Sequence, residues 1–407
     1  MFPRFALFSV TTAVLAYAFA PMAQRLLFLM PASTAVSKDP SAIKVGLVGA
    51  ADIAKFAVLW PASRESSVVV TAVAARSVDK AKAYAAKHGI PKVHSNYQEL
   101  IMDPDIDVVY IGVITELHYA ITQYALQHGK HVLLEKPAVF LEHEAKKLVA
   151  LAREQNKILL EAFHWRYHPA AIRVQELVVE QKVVGSLESM ELKASLYDPM
   201  ASKAEGAAKQ SVKLFDRWCY LVDEMHYYLP KDQWDIEIES VEMMPTKMHA
   251  KLTATPVESP DLEKGEGGGA SAVKPVQITM DAYKDKLEIP SWYVSFQGSN
   301  GSLRYDNALF PFIYHKITKP DGTVEQRYTA AANDTSENAV GKSTFAHQLE
   351  IFASLLTEQD EWKKAKTNQA LWASMIRNAK MAERMVAASD QTPVSSWTFP
   401  QDYQMPR

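Results

Sequence analysis

The stretch Ile43-Lys44-Val45-Gly46-Leu47-Val48-Gly49-Ala50-Ala51-Asp52-Ile53-Ala54 decides the fold. Ile43–Val48 is an apolar run that breaks at Gly49, the composition of a strand covered on both faces. Asp52–Trp60 then takes up helical spacing and is expected to stop before Pro61. The alternation continues outward. Val68–Ala74 is a second β-branched run, followed by a helix over Val78–His88 with Gly89 as its C-cap. Asp107–Ile111 and His131–Leu134 are further strands, bracketing a helix that ends at Gly129. A helix over Ala145–Gln155 leads into a strand over Lys157–Glu161. Strands and helices alternating at this spacing make βαβ units, so residues 41–162 read as a doubly wound α/β domain of Rossmann type with a parallel sheet.

The second half changes character. Leu187–Ser195, Val276–Tyr283, Ser291–Gln297 and Ser302–Tyr305 are strand-like, and several alternate apolar and polar residues, as antiparallel strands with one wet face do. Gly265–Gly269, inside Glu258–Lys274, is expected to be a disordered hairpin loop. Phe345–Leu356 and Gln369–Ala388 carry helical periodicity and close the chain. Residues 163–395 are therefore expected to form an α+β domain with an open, largely antiparallel sheet. Such a face suits a homodimer, although the spacing of apolar residues does not separate that from a face covered by helices.

Composition narrows the function. With 407 residues, 48% hydrophobic and 22% charged, the chain is neither disordered, collagen-like nor a multi-span membrane protein. A net charge of −3 from 44 basic and 47 acidic residues gives no electrostatic grip on nucleic acid. Cys219 is the one cysteine, which excludes an intramolecular disulfide and a four-cysteine zinc site and fits a reducing compartment.

The N-terminal segment, residues 1–37, stands apart. From Phe5 to Gln24 there is no charge, and before Lys38 only Arg4 and Arg25 are charged. An uncharged run of about 20 residues matches the thickness of a bilayer core. A membrane anchor over 5–24 is the leading expectation. A cleaved secretory signal would cut after Ala18-Phe19-Ala20, but Pro21 follows directly and the apolar stretch resumes at Leu26–Met30. An organelle presequence is the third reading. Arg25, Lys38 and Lys44 after the span, against Arg4 before it, lean the body toward the cytosol.

The glycine turn carries the first chemistry. Gly49–Ala54 sits between a strand and a helix, in the position of a dinucleotide fingerprint, with Ala51 and Ala54 where its second and third glycines stand. Gly49 permits the tight turn, small Ala51 lets backbone approach a pyrophosphate, and Ala54 keeps helix and sheet close; Asp52 and Ile53 open the helix at the same place. The alternative is a tight βα turn without a ligand. At the end of the second strand, Ala75-Arg76-Ser77 replaces the acid of an NAD-preferring site. Arg76 offers paired bonds to a 2′-phosphate and Ser77 a hydroxyl, so NADP(H) is expected over NAD(H).

With Glu135-Lys136-Pro137, Glu161-Ala162-Phe163, Thr115-x-Leu117-His118, Arg166-x-His168-Pro169, Gly301-Ser302-Leu303-Arg304 and Phe345-x-His347-Gln348-Leu349-Glu350-x-Phe352, the chain resembles the glucose–fructose oxidoreductase, inositol dehydrogenase and rhizopine catabolism family (Gfo/Idh/MocA) over roughly residues 43–390. It is most similar to the branch of NADP-dependent D-xylose 1-dehydrogenases and dimeric trans-dihydrodiol dehydrogenases. Read from position, Lys136 follows a buried strand at the carboxyl edge of a parallel sheet, where ligands bind. Beside a cationic nicotinamide such a lysine has a lowered pKa, and Pro137 suits a cis peptide; the alternative is a surface lysine.

The resemblance implies that Lys136 is catalytic and that Thr115, His118, Glu135 and Arg166 join Gly49, Ala51, Asp52, Ile53, Arg76 and Ser77 around the cofactor. Without it, His118 reads as a helix-surface histidine. It also implies a catalytic pair in Asp216-Arg217-Trp218-Cys219-Tyr220, with Tyr220 taking a hydroxyl proton and Asp216 orienting a substrate hydroxyl. Helical i,i+4 spacing puts both on one face. The chain departs from the family pattern at Ser211-Val212, where a glycine pair would stand, at Trp218, which replaces a glycine and would narrow, line or block the pocket, and at Ile114, often proline. His164 and His168 follow the sixth strand and are expected to brace the cleft floor; with no third donor at ligand spacing, no metal is expected. Gly-x-Ser-x-Gly and P-loop motifs are missing from the sequence. The expected function is NADP-dependent oxidation of a hydroxyl carbon in a sugar, polyol or dihydrodiol, giving a lactone from an aldose. The alternative is a catalytically silent NADP(H)-binding sensor or interaction protein.

Overall fold

A computed structural model describes residues 36–195, 207–229, 234–243, 247–257, 274–283, 291–311, 314–326 and 342–389, of which 207–217, 243, 361 and 362 are described in backbone only. The N-terminal apolar segment and the Gly265–Gly269 loop lie outside the described residues. Among the described residues no helix is long and apolar enough to cross a membrane.

The first sheet contains β1 (Ile43–Val48), β2 (Val68–Ala74), β3 (Lys92–Val93), β4 (Val108–Ile111), β5 (His131–Leu134) and β6 (Leu159–Glu161). All are parallel, in the order β3-β2-β1-β4-β5-β6. Such an order reverses between β1 and β4, and the crevice outside the carboxyl ends of those two strands is where ligands bind in open α/β sheets. The expected strands are present, and Gly89 ends the Val78–His88 helix in the left-handed region at φ 67°. The first helix differs from expectation. A π-helical turn, Lys55–Leu59, passes straight into an α-helix over Trp60–Arg64 instead of stopping before Pro61. The wider turn starts a new α-helical segment, so Pro61 falls in its first turn, where a missing N–H costs nothing.

The second sheet has eight strands, in the order β14-β13-β12-β11-β7-β10-β9-β8. Its members are β7 (Leu187–Ser195), β8 (Trp234–Met243), β9 (Lys247–Pro256), β10 (Val276–Tyr283), β11 (Ser291–Gly298), β12 (Gly301–Asp306), β13 (Lys316–Thr318) and β14 (Val324–Glu325). Four of these, β8, β9, β13 and β14, were not expected from the sequence. The sheet is antiparallel except that β7 and β10 run parallel at its centre.

Two C-terminal helices join the sheets. Phe345, Leu349 and Phe352 of the Thr344–Thr357 helix pack with Leu47, Tyr110 and Leu133 of the first sheet. In the Glu361–Ala388 helix, Trp372, Met375 and Ala379 pack on the other side of that sheet, while Met381, Met385 and Val386 enter the core beneath the second sheet. At the meeting point Asp223 is sealed from solvent. Its Oδ2 accepts from Trp165 Nε1 at 3.0 Å and Arg166 Nε at 3.3 Å, and its Oδ1 accepts from Arg166 Nη2 and from Asn378 Nδ2 at 2.8 Å. A fully buried carboxylate persists only when its acceptor positions are filled.

Replacing Asp223 by Ala strands the Arg166 guanidinium, whose side chain is only 10% exposed. Chemical denaturation of Asp223→Ala should show a loss of about 3–5 kcal/mol. A loss near that of an exposed ion pair would contradict the assignment.

Candidate active site

The glycine turn is set by backbone crowding. Gly49 has φ +106°, and a Cβ there would lie 2.6 Å from the Gly112 carbonyl oxygen, at the end of neighbouring β4. Gly112 in turn leaves room for the Tyr110 ring, which a Cβ would approach to 2.7 Å. Tyr84 donates its hydroxyl to the Ala51 carbonyl at 3.0 Å and ties the turn to the Val78–His88 helix. Asp52 and Ile53 are exposed at its rim, and Lys55 lies 2.8 Å from the Asp52 carboxylate. Arg76 is exposed at the carboxyl end of β2, and Ser77 caps the following helix by accepting from Lys80 N–H at 3.4 Å. The turn, its exposed rim and the adjacent cation fit a dinucleotide phosphate site. Thr115 is half-buried in a short 3₁₀ turn after β4, and Ile114 before it is exposed.

Lys136 follows β5 and its peptide bond to Pro137 is cis. The segment around it is braced from beneath. Glu135 is buried, accepting from the Tyr110 hydroxyl at 2.8 Å and from Lys136 N–H at 3.3 Å. Glu161, from the end of β6, accepts from Ala138 N–H at 2.8 Å. Burial pushes the Glu161 carboxyl up to about 7, against the lowering effect of that bond and of the nearby Arg166 and Lys136 charges. His118 is buried, which corrects the surface reading. Its Nδ1 lies 3.0 Å from the Pro137 carbonyl oxygen and its Nε2 3.2 Å from that of Val113, so the ring spans the two loops that frame the cleft.

Tyr220 arrives from the Ala207–Tyr228 helix. Lys136 Nζ stands 4.8 Å from the centre of its ring, which meets Phe163 and Trp292 in T-shaped contacts. Its hydroxyl is 3.2 Å from His164 Nε2, and His164 Nδ1 is 2.7 Å from Thr344 Oγ1. Burial, with the Lys136 charge, pushes His164 down to about 3, so the imidazole is neutral. Trp292 donates Nε1–H to Glu224 at 2.7 Å; burial holds that carboxyl well above the usual range. Lys136, Tyr220 and His164 thus meet at the carboxyl edge of the first sheet, from three separate elements.

Other expected site residues land elsewhere. Arg166, expected at the cofactor, donates to the buried Asp223 carboxylate and to Ser374 Oγ at 3.1 Å. Glu135, also expected at the cofactor, accepts from Tyr110 and the Lys136 N–H. Trp218 is wholly buried in the core beneath the second sheet, so it neither blocks nor lines the cleft. The Asp216 side chain lies outside the described residues, although the helix carrying it is present and keeps the i,i+4 relation to Tyr220. His164, expected to brace the cleft floor, stands against the Tyr220 hydroxyl itself, and Thr344 was not read as a site residue; a threonine opening a late helix gives no sign of what it will face. Among the described residues no group of three or more histidine, cysteine or acidic side chains is placed to hold a metal.

A doubly wound sheet with a glycine turn at its switch point defines a dinucleotide-binding domain, and comparison with known proteins agrees. Residues 43–163 match the oxidoreductase family with an NAD-binding Rossmann fold, GFO_IDH_MocA. A trans-1,2-dihydrobenzene-1,2-diol dehydrogenase from Xenopus laevis is 38% identical over 155 residues, covering 38% of this chain and 46% of its own. A dTDP-3,4-didehydro-2,6-dideoxy-alpha-D-glucose 3-reductase from Actinomadura kijaniata is 36% identical over 147 residues, 36% of this chain and 44% of its own. The chain spans a little under half the length of these curated relatives. In overall fold it is similar to a solved 3-ketoreductase from Actinomadura kijaniata in complex with NADP and TDP-benzene, with a TM-score of 0.65 at 22% identity over 86% of this chain and 99% of that one.

Two outcomes follow from this geometry. Gly49→Ala should weaken NADPH binding at least about tenfold or destabilise the fold by about 1–3 kcal/mol, because the left-handed φ and the Gly112 contact both oppose a side chain; unchanged binding and stability would contradict it. For Glu161, the unfolded carboxyl titrates near 4.5 and the folded one near 7, so the native state binds the extra proton between those values. Native stability therefore falls as pH rises through that window, by about 3 kcal/mol from this group alone. Glu161→Gln should remove that part of the slope in denaturation curves recorded from pH 4 to 8.

Proposed function

We propose that the chain is an NADP-dependent oxidoreductase that oxidises a CH–OH carbon of a cyclic diol, polyol or sugar. The observation that carries this reading is the Lys136 ammonium over the Tyr220 ring, with the Tyr220 hydroxyl on a neutral histidine, beside the switch point of the sheet. Bound NADP⁺ supplies the hydride acceptor. The Gly49–Ile53 backbone would hold its pyrophosphate, Arg76 and Ser77 would hold its 2′-phosphate, and Thr115 would border its nicotinamide. The Tyr220 oxygen takes the substrate hydroxyl proton as the C–H electron pair leaves; the adjacent Lys136 charge favours the deprotonated phenol. Asp216, one turn earlier, orients a second hydroxyl. A dihydrodiol fits the names of the more similar curated relatives, and a D-xylose-like aldose, giving a lactone, is the next substrate to test. The silent-binder alternative loses one support, since Trp218 lies in the core.

The same reading divides the chain into a cofactor domain over 41–162 and a substrate and dimer domain over 163–395. The second sheet offers a half-wet face, with Tyr293 and Arg304 stacked 3.5 Å apart, on which a second copy would seat. The uncharged run 5–24 supports tethering of the body to a membrane on its cytosolic side.

Arg76→Asp should weaken NADPH binding by about 10–100-fold, the worth of charge-assisted bonds to one phosphate, and leave NADH binding nearly unchanged. Equal losses would remove the NADP assignment. With trans-dihydrodiol, D-xylose, D-glucose and inositol as substrates, NADPH formation by the wild type and a drop of about 10²-fold or more in kcat for Tyr220→Phe are expected. Tight NADPH binding with no turnover on any of them would favour the silent binder.

A further inference from the structure

His164 is a buried histidine with both ring nitrogens engaged. Nε2 faces the Tyr220 hydroxyl at 3.2 Å and Nδ1 faces the Thr344 hydroxyl at 2.7 Å. The ring is clamped by Phe345, 3.9 Å between centroids, and stacks on Phe310 at 6.0 Å. Thr344 is itself fully buried at the start of its helix, which Ser343 caps by accepting from Ala346 N–H at 3.2 Å. A neutral imidazole has one N–H and one lone pair, so the two hydroxyls must take complementary roles. If Tyr220 is a phenol, it either donates to Nε2 while Nδ1–H donates to Thr344, or accepts from Nε2–H and turns its own proton to the cleft. If Tyr220 is deprotonated, only the Nε2–H tautomer serves it: Thr344 donates to Nδ1 and Nε2–H donates to the phenolate oxygen.

We propose that His164, held at Nδ1 by the Thr344 hydroxyl, is a positioning residue that presents Nε2–H to the Tyr220 oxygen and stabilises the deprotonated phenol. This rests on the reading of Tyr220 as the base. His164 gives up no proton to substrate. It fixes the direction of the phenol oxygen and adds a hydrogen bond to the charge effect of Lys136. Several groups among the described residues face this pair. Lys136 comes from the loop after β5, and Tyr110, from β4, interacts electrostatically with Tyr220 but is pushed well above its usual range by burial and by Glu135, so it stays neutral. Phe163 and Trp292 meet Tyr220 in T-shaped ring contacts, and Asp216 sits one turn earlier on the same helix.

The test is a titration of Tyr220 itself, by phenolate absorbance, with each protein measured against its own Tyr220→Phe counterpart. His164→Asn keeps an amide near the Nδ1 position and withdraws the group facing Tyr220. His164→Gln extends an amide to the Nε2 position. Wild type should titrate below the ordinary tyrosine range of about 10. His164→Asn should raise the midpoint by about 1–2 pH units, the worth of one hydrogen bond to a charged oxygen. His164→Gln should recover most of that shift, and Thr344→Val should raise the midpoint by less than His164→Asn. The pH at which kcat rises should move in step. Should His164→Asn not fold, the near-isosteric Thr344→Val still carries the test. A midpoint unmoved in the folded variants, or a wild-type midpoint at or above the ordinary value, would overturn the proposal. The titration needs no substrate, so its failure is distinct from failure to find turnover.

Discussion

The demand of one buried carboxylate for partners organises this molecule. Asp223 has no solvent to turn to, and its acceptors are filled from Trp165 and Arg166 after β6 and from Asn378 on the last long helix. Three segments far apart in sequence are therefore fixed to one another within hydrogen-bond tolerance. Tyr220 lies one turn before Asp223, and His164 directly precedes Trp165, so the network that joins the two sheets also sets the distance between the phenol and the imidazole. Asn378 adds a second tie, since its Oδ1 lies 2.9 Å from His226 Nδ1. Rigidity at such a centre is what positions reacting groups to a fraction of an ångström.

The first sheet was legible because a parallel sheet announces itself locally. Runs such as Val68–Ala74 and His131–Leu134 are apolar but for Thr71 and His131, and Gly49 and Gly89 punctuate them where left-handed backbone is required. The glycine turn, Arg76 and Lys136 follow those strands directly, so their place at the carboxyl edge could be read in sequence order. The second sheet was only partly legible. β8 and β9 carry charged and polar residues at alternate positions, Asp235, Glu237, Glu239 and Lys247, Lys251, and so give a weaker signal than a buried strand.

Long-range pairing was beyond the sequence. Arg166 reads as a cleft arginine with no sign of its bonds to Asp223, and Trp218 reads as an obstruction until the helix is seen to turn it into the core. His118 looks like a surface residue on a helix, yet the fold closes two loops over it. In each case side-chain direction depends on how the second sheet and the last helix dock against the first sheet. No window of local sequence contains that information.

The central claim is that the nucleotide turn and the Lys136–Tyr220 pair serve one reaction. A crystal structure of the chain with NADP⁺ bound tests it most directly. The account predicts the pyrophosphate on the Gly49–Ile53 backbone, the 2′-phosphate against Arg76, and the nicotinamide C4 facing the Tyr220 oxygen across a gap wide enough for a substrate carbon. A nicotinamide directed away from Tyr220 and Lys136 would contradict it, since the pair would then have no part in hydride chemistry at that ring.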